Sequence, residues 1–187
     1  PGLPILLLLG GLRGMGDNAL FFWLSLYLTQ ELDMSPAASG VHLTLLTALA
    51  VLFGPLWGVL SDRWGRKPVM VTIMAISAVL AGLMALTQRG PALTALVVLM
   101  GTVMFSINSL VQVAAMDLAE GRRLEGSLIG LLWGNNALFG ALSPILVGAL
   151  VGLFGFKVIF VYATALYLVG FAVALALPRL GARRPAP

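Results

Sequence analysis

Five stretches of this chain run without a charged residue for 28 positions (Met34 to Ser61), 21 (Pro68 to Gln88), 27 (Gly90 to Met116), 31 (Gly126 to Phe156) and 21 (Val158 to Pro178). A bilayer core about 30 Å thick takes about 20 helical residues, so each stretch can cross one. A sixth segment, Ile5 to Tyr27, is equally apolar except for Arg13 and Asp17. The expected fold class is all-α: a polytopic membrane protein forming one six-helix transmembrane bundle over residues 1–187. Its spans fall at about 5–28, 36–60, 68–88, 91–116, 126–153 and 157–177. A secretory signal peptide would explain only the first segment, and would be shorter and end at a small-residue cleavage site.

Composition removes several classes. Only 10% of the residues are charged, against about 25% in a soluble domain. With no cysteine there is no disulfide, thiolate metal site or thiol nucleophile, and the lone His42 cannot build a zinc site. No cofactor or metal is expected. The basic balance does not point to nucleic acid, which needs a basic face on a soluble module. The partners expected are the lipid bilayer and a small-molecule substrate of unknown identity.

If the spans alternate, Arg63, Arg66, Lys67, Arg122, Arg123, Arg179, Arg183 and Arg184 share a side with the N-terminus, and the other side has only Arg89 and Lys157. Basic loops mark the cytoplasmic face, so both termini are expected there, in a bacterial-type cell membrane. Glu31 and Asp33 fall in the first outer loop, where Ser35 is placed to cap the second helix and Pro36 to occupy its first turn.

Shifting the chain by 90 residues sets GVLSDRWGRKPV (58–69) over GALVGLFGFKVI (148–159), matching Gly58, Leu60, Gly65 and Lys67 with Gly148, Leu150, Gly155 and Lys157. Ninety residues is three spans, and an odd number inverts the second copy. This is the pattern of an inverted 3+3 repeat. The second copy has Gly152, Leu153 and Phe156 where the first has Asp62, Arg63 and Arg66.

Topology alone explains Arg63, Arg66 and Lys67 but not the other features of the 58–69 loop. Gly58, one turn before Asp62, would let a neighbouring helix approach closely. Gly65 permits a tight reversal, Pro68 suits the next helix's first turn, and Asp62 and Arg66 are spaced to pair if the turn is helical. Gly58, Leu60, Asp62, Arg63, Gly65, Arg66 and Lys67 resemble the signature loop G-x-L-x-D-R-x-G-R-K between helices 2 and 3 of the major facilitator superfamily. The six-span layout extends the resemblance to the whole chain, which looks like one half of a twelve-helix transporter. The resemblance implies that this loop forms a cytoplasmic charge network steadying the outward-open state. It also implies a partner: a missing second six-helix half, or a second copy in a homodimer.

The fourth helix lacks the arginine that often marks the family's first half, and GALSPILVG (140–148) is a weak version of the fifth-helix antiporter motif. Both departures, with the start at Pro1 and the basic tail ARRPAP, favour the C-terminal half.

Arg13 and Asp17 lie one turn apart in the first span beside Asn18. Charges inside a membrane usually face a cavity or one another; a neutralising pair, or Arg13 snorkelling to the edge, is the alternative. Because the family lines its cavity with the first and fourth helices of each half, the resemblance makes Arg13, Asp17, Asn18, Asn108 and Gln112 candidate cavity or coupling residues. A proton is the coupling ion it implies, with Asp17 as carrier; uniport or a carrier in the other half fits equally well. Asn135 and Asn136 read as interhelical hydrogen-bonding groups, Gly126, Gly130 and Gly134 as a flat packing face, and His42 as hydrogen-bonded near the helix end. Asp117, Glu120, Arg122, Arg123 and Glu125 read as a solvated loop that can bridge to Arg66 or Lys67.

The expected function is secondary active transport of a small solute by alternating access. Rival classes are a non-transporting scaffold or six-helix subunit, a channel, and an intramembrane enzyme. GMGD (14–17) matches one aspartyl-protease element, but no second intramembrane aspartate exists to share a proton. No serine-nucleophile signature accompanies His42, and no filter segment is visible.

Overall fold

The computed structural model describes residues 2–119 and 125–178. Among them every regular element is helical: α1 (Gly2–Leu26), a π-helical turn (Tyr27–Glu31), α2 (Pro36–Trp64), α3 (Arg66–Leu86), α4 (Pro91–Val103), α5 (Ser106–Ala119), α6 (Glu125–Phe154) and α7 (Val158–Leu175). Six continuous or nearly continuous helical segments are long and apolar enough to cross a membrane, α1 with its π turn forming the first and α4 with α5 the fourth.

Local chemistry sets several ends. The Ser35 hydroxyl accepts from Ala38 N–H at 3.2 Å and Pro36 opens α2. Gly65, at φ 92° and ψ 156°, separates α2 from α3 in a conformation that a side chain would strain. The first span runs three residues beyond the expected 28, through the π turn. The second runs beyond 60 to Trp64, because the turn that Gly65 makes is confined to one residue.

The fourth span departs most from expectation. A single helix over 91–116 is replaced by two, with Met104 extended and Phe105 at φ 62°. No proline or glycine sits at this break; tertiary contacts replace the hydrogen bonds it gives up. The Thr102 carbonyl accepts from the Trp57 indole at 2.6 Å, the Val103 carbonyl from Arg13 Nη2 at 3.0 Å, and Phe105 N–H donates to Asp17 Oδ2 at 3.4 Å. A break in a membrane helix persists only where neighbours re-satisfy the freed backbone.

The packing has the symmetry of the repeat. Exchanging spans one to three with four to six turns the α1–α6 contact into the contact of α2 with α4 and α5, and returns the α3–α7 contact to itself. Gly155, at φ 80°, repeats the turn of Gly65: each N–H reaches the carbonyl four residues back, Val151 or Ser61, at 2.9 Å. The buried core draws on α1, α3, α4, α5 and α7, whereas α2 and α6 leave most of their surface uncovered.

Two packing expectations are not met within this unit. Nothing lies within 4 Å of a side-chain carbon placed at Gly58, Gly126, Gly130 or Gly134, so within this unit no helix is seated on them. The close approach of helix backbones is at Gly101 instead, where such a carbon would come within 2.6 Å of the Leu46 carbonyl on α2.

Candidate functional site

The 58–69 loop is organised by Arg66. Only 7% exposed, its guanidinium donates through Nη1 to Ser61 Oγ at 2.6 Å, pairs with Asp62 Oδ1 at 2.7 Å, and reaches Asp117 Oδ2 through Nε at 3.3 Å. The planar fork of arginine matches several acceptors at once, which an ammonium does not. One side chain at the start of α3 therefore ties the end of α2 to the end of α5. The expected Asp62–Arg66 pair and the bridge from Asp117 both form. Leu60 packs against the core, and Arg63 is exposed with Lys67 half-buried beside it. Glu120, Arg122 and Arg123, and the tail arginines Arg179, Arg183 and Arg184, lie outside the described residues, as does the Glu125 side chain.

Arg13 and Asp17 form a different centre, 0% and 1% exposed. Arg13 Nε pairs with Asp17 Oδ1 at 2.9 Å, and its other nitrogens donate to Ser77 Oγ at 2.5 Å and the Val103 carbonyl at 3.0 Å. Tyr167 donates its hydroxyl to Asp17 Oδ1 at 2.9 Å and offers its ring face to the guanidinium, 4.6 Å from the centroid. Four spans meet here. Residues 13 and 103, and residues 77 and 167, are each 90 positions apart, so the network lies where the two repeats meet their own equivalents.

The expected cavity residues therefore divide. Arg13 and Asp17 face the interior of the unit and are saturated by protein partners. Within this unit four spans close over them, whereas Asn108 and Gln112 lie on another surface. Asn18 is on another face of α1, its amide donating to the Gly14 carbonyl at 2.8 Å and lying close against Gly140 of α6. Asn108 and Gln112, on α5, line a shallow recess with Trp133, Asn135 and Asn136 of α6. Asn135 donates to the Leu7 carbonyl at 2.8 Å, as its interhelical role requires, and the buried Asn136 Oδ1 has no partner among the described residues. Among the described residues this recess carries no ionisable group. His42 is satisfied by the Ala38 carbonyl at 2.8 Å and the Thr94 hydroxyl at 2.9 Å.

Sequence reasoning missed Ser77, Tyr167 and Trp57. Buried hydroxyl and indole groups in apolar spans were the available signal, since each needs a partner.

The model of the Major Facilitator Superfamily matches residues 6–187, and the chain belongs to this family of membrane transporters. The maltose permease of Geobacillus stearothermophilus is 33% identical over 171 residues, and the multidrug resistance protein MdtG of Proteus mirabilis 30% over 172. These alignments cover 87% and 88% of this chain but 41% of each relative. The crystal structure of the POT family transporter PepTSo superposes on the whole chain with a TM-score of 0.86 at 16% identity, using 39% of that protein, a likeness of fold. The chain thus spans less than half the length of these proteins.

Proposed function

We propose that this chain is one six-helix half, the C-terminal one, of a secondary transporter that moves a small solute by alternating access. The observation that carries this reading is Arg66, which couples the ends of α2, α3 and α5 through Asp62 and Asp117 at the family's signature loop. A latch made of ion pairs at one end of a bundle suits a protein whose halves rock, because it can open and re-form without unfolding a helix.

A second six-helix unit packs on α2 and α6, the two spans left uncovered here, and the solute site lies between the units. From this half, Asn108 and Gln112 face the solute. The basic 58–69 loop and both termini are cytoplasmic, in a bacterial-type cell membrane. Asp17 is the candidate proton carrier, acting at a distance from the solute: protonation there would weaken its hold on Arg13 and on Phe105 N–H, and so on the break in the fourth span.

The test is transport by the intact gene product in liposomes. Asp62→Asn is expected to lower turnover while insertion is retained, since the basic residues that set topology remain. Unchanged turnover at normal abundance refutes the latch. Transport at the parental rate by Asp17→Asn, at every pH tested, removes Asp17 as carrier.

A further inference from the structure

Four charged residues occupy the end of the bundle opposite the 58–69 loop: Glu31 at the end of the first span and Asp33 just beyond it, Arg89 after the third and Lys157 before the sixth. They come from three separate connections, yet all four line one depression of about 360 Å³, together with Tyr27 and Gln88. A merely solvated face would scatter these groups or pair them off. Among the described residues, none of the four makes an ion pair with another.

Arg89 explains how this is held open. Its Nη1 donates to the backbone carbonyls of Leu32, at 3.1 Å, and Asp33, at 3.5 Å, instead of to either carboxylate. The first loop is thereby fixed through its backbone while the carboxylates of Glu31 and Asp33 stay unpaired. Asp33 is held at φ 49°, a conformation uncommon for a residue with a side chain. Beneath them Tyr27 is fully buried, its ring edge-on to Phe160 at 4.9 Å, and its hydroxyl has no partner among the described residues. A buried hydroxyl left without a hydrogen bond is uncommon and calls for an explanation.

The set carries two negative and two positive groups. A simple anion would meet two carboxylates, and a simple cation two basic side chains. A molecule with a phosphate or carboxylate at one end and an ammonium at the other satisfies both signs. We propose that this depression binds such a zwitterion, its anionic group against Arg89 and Lys157 and its ammonium against Glu31 and Asp33. The ends of membrane spans lie at the headgroup level, so the ligand comes from one of two sources: the headgroup of a zwitterionic phospholipid or a free zwitterionic solute.

The experiment is a titration of the intact native protein in detergent, followed by native mass spectrometry. The probes are short-chain phosphatidylethanolamine, short-chain phosphatidylglycerol and free phosphoethanolamine. Phosphatidylethanolamine is expected to bind more tightly than phosphatidylglycerol. The Glu31→Gln/Asp33→Asn and Arg89→Gln/Lys157→Gln variants are each expected to weaken it by about tenfold or more. Lys157→Gln alone serves if loss of Arg89 loosens the loop. The same pattern with phosphoethanolamine assigns the site to a free solute; binding of the lipid alone assigns it to the bilayer. Diffuse electrostatics predicts the opposite sign for the two pairs, with removal of the acids tightening phosphatidylglycerol and sparing phosphatidylethanolamine. That result overturns the proposal, as does failure of both zwitterions to bind.

Discussion

Tyr167 donates its hydroxyl to Asp17 at 2.9 Å across 150 positions of sequence, and the same ring covers Arg13, the partner of that carboxylate. The last span thus closes the network that holds the broken fourth span to α1. Tyr167→Phe keeps the ring and removes one of the three donors on Asp17. It is expected to lower stability by about 1–2 kcal/mol. Asp17→Ala leaves a buried guanidinium without its counter-ion and is expected to cost about 3–5 kcal/mol. Thermal unfolding of the intact protein in detergent checks both; equal losses would show that the carboxylate does not anchor the network.

The glycines of the signature loop should separate cleanly. Gly65→Ala puts a side chain at φ 92° and ψ 156°, a region that is nearly reserved for glycine, and should cost about 1–3 kcal/mol. Gly58→Ala enters open space within this unit and should leave its stability unchanged. Transport would nevertheless fall in Gly58→Ala if the second unit packs on α2. Parental transport by that variant would move the interface elsewhere.

Arg66→Lys preserves charge and hence the orientation expected from it, but one ammonium cannot reproduce contacts to Ser61, Asp62 and Asp117 together. Transport is expected to fall severalfold with normal insertion. The effects of Arg66→Lys and Asp117→Asn should be non-additive, since both break the same 3.3 Å contact, with a coupling of about 0.5–3 kcal/mol. Strict additivity in a double-mutant cycle would show that the bridge carries no function.

How much of this was legible depended on whether the signal was local. The uncharged runs gave the six spans because the bilayer fixes their length. The 90-residue shift set Gly155 over Gly65, and the structure gives the two glycines the same kind of turn. Asp62 and Arg66 could be paired because their partnership is set within one turn. The break at Met104–Phe105 was invisible: TVMFSIN holds no proline or glycine, and the Arg13, Asp17 and Trp57 contacts that replace its hydrogen bonds come from other spans. Resemblance grouped Arg13 and Asp17 with Asn108 and Gln112 by the helices that carry them. A helix position tells which residues share a face of α1, but not which face the rest of the bundle covers.

The recess on α5 and α6 gives the sharpest separation of solute contact from packing. Asn108 and Gln112 are half-buried and none of the bonds that hold the described bundle together depends on their side chains, whereas the Asn135 amide is committed to the Leu7 carbonyl at 2.8 Å. Gln112→Ala and Asn108→Ala are therefore expected to raise KM severalfold at unchanged unfolding temperature. Asn135→Ala should instead lower stability, by about 0.6–2 kcal/mol for one interhelical hydrogen bond within a membrane. Because the recess has no ionisable side chain among the described residues, the KM effects at Asn108 and Gln112 should not vary with pH. Measuring transport kinetics and unfolding on the same preparations decides the matter. If Gln112→Ala and Asn108→Ala unfold early and keep their KM, these amides pack the bundle, and solute contact belongs to another surface of it.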